Sequence, residues 1–264
     1  QSRSISVIST SGGMDSTSLL LRKLREGKEV YAIGFNYGQR HAIELERLKS
    51  NIEYLKQKNI VVNYRSVDLR SAFSTLTSAL TDASRDMPEG FYAEENMKQT
   101  VVPNRNAIFS SIVFGHALAL YEKFICPVEI SLGVHSGDHA IYPDCRPEFY
   151  NSIYQAFQVG NWNGSQISLD LPYLSEDKGT ILEDALQSCA QLDLDFDTIF
   201  RNTNTSYEPD EQGRSSGKTG ADVERILAFH KIGRKDPVPY QKSWPEVLSY
   251  ALQVEQEFLS RQNK

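Results

Sequence analysis

The sequence predicts an α/β protein with a doubly wound, mostly parallel sheet and a small C-terminal appendage. Strand and helix patterns alternate from the first residues onward, as in chains that cover a parallel sheet with helices. A Gly-Gly turn directly follows the first strand and opens a helix. After residue 200 the chain becomes rich in Asn, Thr, Ser and Gly. We therefore expect a main domain over 1–200 and an appendage over 201–264.

The individual elements follow from the spacing of apolar residues. β-rich runs predict strands at 4–9, 29–35, 60–67, 128–134 and 166–171. Apolar spacing of three and four residues predicts helices at 17–25, 41–58, 107–121, 147–159, 180–190, 221–232 and 243–260. Because parallel strands end at one edge of a sheet, we expect ligands in the crevice beyond their carboxyl ends.

One long segment interrupts this alternation. Between residues 77 and 99 the pattern fails, and acidic residues crowd together with Pro88 and Gly90. A loop of this length without its own secondary structure is usually functional. We expect an exposed insertion that acts as a lid over the crevice.

The composition limits the partners of the protein. The chain has 28 basic and 34 acidic side chains, a formal net charge of −6, so no global positive field would attract a nucleic-acid backbone. Its apolar stretches are far shorter than the roughly 20 residues of a membrane span. The three cysteines, Cys126, Cys145 and Cys189, are odd in number and far apart, which fits a reducing compartment without disulfides. We expect a cytoplasmic protein with small-molecule or protein partners.

The strongest local signal follows the first predicted strand. Two successive glycines let the backbone approach a phosphate, and the N–H groups of the next helix point at the anion. Three hydroxyls add donors, and Asp15 indicates a Mg²⁺ ion that bridges its carboxylate to the phosphates. The predicted phosphate-binding residues are Ser11, Gly12, Gly13, Met14, Asp15, Ser16 and Thr17.

A Gly-Gly turn capped by Ser and Asp before a helix is the simpler interpretation of this loop. However, Ser-Gly-Gly-Met-Asp-Ser after a first strand resembles the PP-loop of N-type ATP pyrophosphatases. The spacing differs from that of a Walker A loop, so transfer of the γ-phosphate is not indicated. The PP-loop resemblance implies a Rossmann-like fold of the adenine nucleotide alpha hydrolase kind. It also implies that ATP is split between its α- and β-phosphates, which activates a carboxylate as an acyl adenylate.

Further motifs narrow the resemblance. They are Phe-Asn-Tyr-Gly-Gln-Arg-His at 35–41 with Glu44 and Glu46, Val-Pro-Asn-Arg-Asn at 102–106, Gly-Val-His at 133–135, and Tyr-Pro-Asp-Cys-Arg-Pro-Glu-Phe at 142–149. Together they resemble the QueC family of 7-cyano-7-deazaguanine synthases over about residues 4–240. The resemblance implies an enzyme that adenylates 7-carboxy-7-deazaguanine, adds ammonia to give an amide, and dehydrates the amide to a nitrile with more ATP.

Under this resemblance, Asp15, Arg105 and Lys178 are the predicted catalytic residues. Arg105 and Lys178 lie just before predicted helices, where a cation can reach the leaving pyrophosphate, although either can instead be a solvated surface charge. Tyr37 and Gln39 follow a strand end, and either contact ATP or cap the next helix.

Substrate binding is assigned to the loops after the predicted strand at 128–134. Asp144 suits a guanine-type edge, because a carboxylate accepts two hydrogen bonds from adjacent N–H donors. Arg146 either faces the substrate carboxylate or pairs with Asp144, and Asp138 either serves the site or caps a helix. The predicted substrate-binding residues are His135, Asp138, Tyr142, Asp144, Arg146 and Glu148.

The sequence departs from the family at the C-terminal end. QueC proteins hold zinc there with four cysteines, and in this chain Ser206, Ser216, Thr219 and Asp222 stand at the corresponding positions. Neutral hydroxyls are poor zinc ligands, so we expect no structural zinc. Packing of Ile226, Leu227 and Phe229, or a partner protein, would then have to hold this segment.

This divergence indicates a paralogue with a changed acceptor or partner. QueC-like proteins of this kind accompany antiviral defence systems, including some of the CBASS type, and the acyl group could pass to ammonia or to an amine on a partner protein. A homodimer or a hetero-complex is expected. The alternative is a catalytically inactive scaffold or sensor that binds nucleotide or deazapurine. A third reading, a tRNA thiolase, would need reactive cysteines and a basic surface, neither of which is visible.

Overall fold

The computed structural model describes residues 3–39, 43–76, 78, 81–82, 84, 89–90, 100–138, 142–204 and 210–262. These residues form a five-stranded parallel sheet with the strand order β3-β2-β1-β4-β5. The strands are β1 (Ile5–Ser9), β2 (Glu29–Asn36), β3 (Asn63–Asp68), β4 (Val128–Ser131) and β5 (Ile167–Asp170). The predicted doubly wound parallel sheet is confirmed, and its switch point lies between β1 and β4, where the strand order reverses.

The helices connect these strands in order. They are α1 (Met14–Arg25), α2 (Ile43–Gln57), α3 (Arg70–Phe73), α4 (Arg105–Phe124), α5 (Pro147–Gly160), α6 (Lys178–Gln191), α7 (Phe196–Arg201), α8 (Gly220–Lys231) and α9 (Trp244–Gln262). Short 3₁₀ turns add Pro143–Cys145 and Gly164–Gln166.

The sheet is covered on both faces because its strands are apolar on both faces. In β1 the residues alternate, so Ile5 and Val7 face α4 and α5 while Ile8 faces α1 and α6. Ile5 stands in register with both Glu29 and Val128. This register aligns the carboxyl ends of β1, β2 and β4 along one edge.

Several boundaries differ from the sequence prediction. Strand β4 ends at Ser131, three residues earlier than predicted, and the chain then continues toward the crevice as an apolar loop. Strand β3 begins at Asn63 and not at residue 60. Helices α3 and α7 were not predicted, since four and six residues are too few to show helical periodicity.

The predicted insertion at 77–99 lies almost wholly outside the described residues. Glu89 forms an isolated bridge with Thr219, and the Gly90 N–H donates to the Lys218 carbonyl at 3.2 Å. The described part of this segment therefore contacts the start of α8.

The C-terminal segment shares the core of the main sheet. Helix α8 packs against α6 on one side and α9 on the other. Phe229 belongs to the same apolar cluster as Leu182 of α6 and Met14 of α1. None of the described helices combines the length and apolar character needed to cross a bilayer.

Candidate functional site

The carboxyl ends of β1 and β4 open a crevice at the switch point of the sheet. The predicted phosphate-binding segment, residues 11–17, is called the phosphate loop below. It leaves β1 and enters α1, while the loop after β4 runs alongside it. At Gly133 an added Cβ would lie 3.4 Å from the Asp15 carbonyl oxygen, so the two loops pass in close contact. This crevice is where an open α/β sheet binds its ligands.

The phosphate loop is held in shape by its own hydroxyls. The Ser11 N–H donates to Ser16 Oγ at 3.2 Å, and the Gly13 N–H donates to Ser11 Oγ at 3.2 Å. Gly12 has a φ of +82°, and a Cβ there would come within 2.1 Å of the Glu44 carbonyl oxygen. Both the backbone angle and the contact with α2 require glycine.

Two predicted loop residues point away from the crevice. Met14 is 1% exposed and Thr17 is 2% exposed, and Met14 packs in the core beneath the loop. Their side chains are thus structural. Met14 can offer a phosphate its backbone N–H at the start of α1, whereas the Thr17 N–H already donates to the Gly13 carbonyl at 3.1 Å.

Beside the loop lies a cluster of charged side chains drawn from separate elements. Lys178, the first residue of α6, places Nζ 3.5 Å from Asp15 Oδ2 and 3.0 Å from Glu224 Oε2. His135 Nε2 lies 3.5 Å from Asp15 Oδ2 and 3.4 Å from Asp138 Oδ1. Lys178 and His135 are both buried, at 7% and 1% exposure. Three carboxylates therefore surround two buried basic groups.

The pKa values in this cluster follow from burial and mutual charge. Burial lowers the pKa of Lys178, but Asp15, Glu224 and Asp138 outweigh it, so the pKa rises and the ammonium stays charged. The same balance raises the pKa of His135, with Asp138 and Asp15 as the main opposing charges. Burial raises the pKa of Glu224, and Lys178 and His135 offset part of that shift.

Asp15 meets the requirements for a magnesium ligand. Its Oδ1 is buried and accepts no hydrogen bond from the part of the chain that the structure describes. Across the same residues, no group of three or more His, Cys, Asp or Glu is arranged to hold a metal by itself. A Mg²⁺ ion at Asp15 would therefore take its other ligands from phosphate oxygens and water.

A cavity of about 220 Å³ adjoins the phosphate loop. Its lining combines polar side chains with aromatic ones, as expected of a pocket that takes a phosphorylated or carboxylated ring. It is lined by Ser9, Ser11, Asp15 and Ser16 of the loop, Arg105, Asn106, Phe109, Ser110 and Val113 of α4, Leu132, Gly133, Val134 and Asp138 after β4, and Tyr142, Cys145 and Tyr150.

Arg105 is held between two tyrosines at the mouth of this cavity. It is the first residue of α4, and its guanidinium carbon lies 5.8 Å from the Tyr37 ring centroid and 5.7 Å from that of Tyr142. Its Nη1 donates to the Tyr37 hydroxyl at 3.4 Å. The Tyr142 hydroxyl is bonded to Thr100 at 2.6 Å. Arg105 is thus oriented by packing, which a solvated surface charge would lack.

Gln39 closes the turn between β2 and α2. Its Nε2 donates to Glu44 Oε1 at 2.7 Å and its Oε1 accepts the Tyr37 N–H at 3.0 Å. Burial raises the pKa of Glu44 to about 7, against the opposing effects of the Gln39 hydrogen bond and Arg105. Neither bond is to a backbone N–H of α2, so they support the turn before the helix without capping it, and a contact of Gln39 with ATP stays a prediction. Arg40 and His41 of the same motif lie outside the described residues.

Asp144 lies at the amino-terminal end of α4. Its Oδ2 accepts the Asn106 N–H at 3.2 Å, which occupies part of its acceptor capacity. Arg146 and Glu148 are exposed at the start of α5 and do not line the cavity. Asp138 accepts the His135 N–H at 3.4 Å and also borders the cavity.

The residues at the predicted zinc positions bond to one another. Asp222 Oδ2 accepts the Gly217 N–H at 3.2 Å and lies 3.4 Å from Ser216 Oγ. Thr219 Oγ1 accepts the Asp222 N–H at 3.2 Å and caps α8. Ser206 lies outside the described residues. Hydrogen bonds to the Asp222 carboxylate thus organise this turn.

Sequence reasoning missed several residues of the site, among them Glu224, Cys145 and most of the cavity wall. Glu224 lies two residues after Asp222, and helical spacing alone does not show that it faces Lys178. Cys145 was not assigned to the site. It does line the cavity, where Asn106 Nδ2 lies 3.3 Å from its Sγ and burial raises its thiol pKa. A thiol with a raised pKa is a poor nucleophile.

Comparison with known proteins gives consistent matches. The family described as "Queuosine biosynthesis protein QueC" matches residues 5–233. The chain is 40% identical over 236 residues to 7-cyano-7-deazaguanine synthase 1 of Colwellia psychrerythraea, which covers 89% of this chain and 98% of that protein. It is 39% identical over 235 residues to the 7-cyano-7-deazaguanine synthases of Caldicellulosiruptor saccharolyticus and Methanoregula boonei, over 89% of this chain and 95% and 98% of theirs.

Proposed function

This chain belongs to the QueC family, and we propose that it is an ATP-dependent carbon–nitrogen ligase. It adenylates the carboxylate of a 7-carboxy-7-deazaguanine-type substrate, releases pyrophosphate, and transfers the acyl group to a nitrogen nucleophile. The observation that carries this proposal is that the phosphate loop and aromatic side chains line one cavity, with Arg105 in its wall and Lys178 in contact with Asp15.

The chain's own groups fit the first half of the reaction. A substrate carboxylate oxygen attacks the α-phosphorus of ATP. The bond between the α-phosphorus and the oxygen that bridges it to the β-phosphorus breaks, and pyrophosphate leaves with that oxygen. The N–H groups at the start of α1 and the Ser11 and Ser16 hydroxyls bind the departing phosphates. Lys178 and Arg105 oppose the negative charge that develops there. A Mg²⁺ ion held by Asp15 would supply further neutralisation of this charge.

The second half needs an amine. The nitrogen attacks the acyl carbon, AMP leaves, and the nitrogen loses a proton, which gives an amide. Ammonia is the acceptor implied by the relatives' names, since a nitrile retains one nitrogen from it. An amine of a partner protein would react with the same intermediate. We extend the proposal to a paralogue in antiviral defence on the basis of the altered zinc positions, Ser216, Thr219 and Asp222.

Substrate recognition is assigned to the walls of the cavity. Tyr142 lines it and packs on Arg105, and Asp138 borders it near the phosphate loop. Asp144 does not line the cavity but precedes Cys145, which does, and we propose that it accepts hydrogen bonds from the deazaguanine edge with the acceptor capacity that Asn106 leaves. Arg146, Glu148 and His135 stay proposed substrate contacts on the sequence alone, since none of the three lines the cavity.

Pyrophosphate release tests this function. Wild-type protein, given ATP, Mg²⁺, 7-carboxy-7-deazaguanine and either ammonium or a peptide amine, should release pyrophosphate and AMP. The Asp15→Ala variant should lose at least about 100-fold of this rate, because it lacks the loop carboxylate that would hold the metal.

Two controls make the result interpretable. Asp197→Ala removes an exposed carboxylate on α7 and should leave the rate unchanged. Asp15→Asn keeps the shape of the loop if the alanine variant misfolds. Wild-type rates in both Asp15 variants would contradict the assignment. Tight binding of ATP and the deazaguanine without any pyrophosphate would favour the inactive scaffold.

A further inference from the structure

Glu224 is a carboxylate of the crevice cluster that lies beside both Lys178 and His135. It comes from α8, in the C-terminal segment, and its side chain is 19% exposed. Its Oε2 forms an ion pair with Lys178 Nζ at 3.0 Å, shorter than the 3.5 Å from Lys178 to Asp15. Its Oε1 lies 4.0 Å from His135 Nδ1. Of these two carboxylate contacts of Lys178, the closer one comes from α8.

The helix that carries Glu224 is fixed on both sides of it. Asp222 is 1% exposed and bonds the turn before α8. Arg225 is 2% exposed, and its guanidinium donates to both oxygens of Asp236, at 2.6 and 2.9 Å. Because both neighbours are anchored, Glu224 has little freedom to move away from Lys178.

The loop after β4 is also packed onto this carboxylate. A Cβ added at Gly137 would lie 2.6 Å from Glu224 Oε1 and 2.8 Å from the His135 ring. The Gly137 N–H donates to His135 Nδ1 at 3.1 Å. This bond leaves Nε2 of His135 directed at Asp15 and Asp138. Glu224 thus supports the loop that orients the imidazole.

We infer that Glu224 is a positioning residue that holds the Lys178 ammonium and the His135 imidazole against Asp15, so that α8 completes the ATP site. The inference rests on the proposed function and assigns to the C-terminal segment a part in adenylation. Glu224 does not line the cavity, so it acts through Lys178 and His135 and not on the substrate.

Loss of the Glu224 charge should therefore affect ATP binding and turnover differently. A carboxylate near the phosphate loop repels the triphosphate, so its loss should not weaken ATP binding. The same loss removes the carboxylate that lies 3.0 Å from Lys178 Nζ. The Lys178 ammonium would then be less well positioned beside the leaving pyrophosphate. Small displacements of such a charge lower the rate strongly.

Steady-state kinetics of Glu224→Gln provide the first test. We expect kcat for pyrophosphate release to fall about 10- to 100-fold, while KM for ATP stays equal or decreases. Glu224→Asp retains the charge and should recover part of kcat. Glu53→Gln, an exposed change on α2, is the matched control and should behave as wild type. An unchanged kcat in Glu224→Gln would overturn the inference, as would a rise in KM together with a lower melting temperature.

A binding cycle tests the same inference without turnover. Calorimetry with α,β-methylene-ATP gives Kd for wild type, Glu224→Gln, Lys178→Met and the double variant. If Glu224 acts through Lys178, the combined effect should differ at least about threefold from the product of the single effects. Multiplicative effects would overturn the inference. If wild-type protein binds the analogue but releases no pyrophosphate from ATP, the proposed function is contradicted. The binding cycle then still tests whether Glu224 acts through Lys178.

Discussion

Single side chains of the crevice owe their charge states to where the fold has buried them. Lys178 and Glu224 would each be costly to bury alone, and each offsets the other's desolvation. Glu44 has less compensation, because its nearest polar partner is the neutral amide of Gln39. Burial therefore raises its pKa to about 7 from an ordinary value of 4.5. The folded protein holds this proton more tightly than the unfolded chain.

The Glu44 shift predicts a pH-dependent stability. Between 4.5 and about 7 the folded state binds more protons at Glu44, so its contribution to the free energy of unfolding falls as pH rises through this window. Glu44→Gln has no carboxyl to ionise and should not lose stability in this way. Its free energy of unfolding should exceed that of wild type by about 1–3 kcal/mol above pH 7 and differ little from it below pH 4.5. Urea unfolding at the two pH values measures the difference. The same difference at both ends would show that Glu44 does not titrate as described. Glu53→Gln retains Glu44 and should keep the pH dependence of wild type.

Asp144 carries a prediction that separates recognition from folding. Asp144→Asn replaces one acceptor oxygen by a donor that would face the N–H donors of the base. In a desolvated site this mismatch costs on the order of 1–3 kcal/mol, so affinity for 7-carboxy-7-deazaguanine should fall roughly ten- to hundredfold. Calorimetric titration should show nearly unchanged affinity for ATP. Equal base affinity with a lower melting temperature would mean that Asp144 serves only the Asn106 N–H at the start of α4.

At the scale of elements, α8 is anchored by a buried charge pair. Arg225 donates to Asp236, to Thr203 Oγ1 at 2.8 Å and to the Phe200 carbonyl at 3.2 Å. Asp236 also accepts the Tyr240 hydroxyl at 2.7 Å. These bonds tie the end of α7, the middle of α8 and the chain before α9 together. They add a polar anchor to the apolar packing expected from the sequence.

Breaking this pair should be expensive. Arg225→Met leaves Asp236 buried without its partner, and we expect a loss of about 3–5 kcal/mol in the free energy of unfolding. Arg234→Met breaks the exposed pair with Asp197 and should cost less than about 1 kcal/mol. Urea unfolding of both variants provides the comparison. Equal small losses would show that the C-terminal segment is held by other contacts.

At the scale of the whole molecule, the C-terminal segment and the sheet share one core. Phe229 of α8 packs with Phe196 and Phe200, which belong to the cluster beneath β1. Ile226 packs with Val247 of α9 in a second cluster. The division at residue 200 stays a prediction. Apolar packing and charge pairs can therefore hold the C-terminal segment against the sheet in place of a metal.

This arrangement predicts independence from zinc. Ser216 and Thr219 offer neutral hydroxyls, and Asp222 is already bonded to the Gly217 N–H. A strong chelator should therefore leave the melting temperature and the urea midpoint unchanged. Elemental analysis of dialysed protein should find far less than one zinc per chain. Stoichiometric zinc that survives dialysis would mean that other residues have replaced the cysteines.

The sequence by itself was sufficient for the architecture and for the family, while phosphate binding by the loop after β1 stays a prediction. Alternating strand and helix patterns are local, so the parallel sheet could be predicted, and the run from Ser11 to Ser16 carries its donors within a few residues. The motif at 142–149 likewise indicated the family, because its residues are adjacent in the chain.

Only the tertiary structure decided which distant charges meet. Lys178 and Glu224 are separated by the rest of α6, by α7 and by the altered zinc segment, and their contact depends on how α8 packs against α6. The inward orientation of Met14 and the bond between Asp144 and Asn106 depend in the same way on packing. Periodicity records which face of an element is buried, but it does not record which element covers that face. For this reason the loop from Ser11 to Ser16 could be predicted from the sequence. The ion pair of Lys178 and Glu224 beside it could be recognised only in the folded structure.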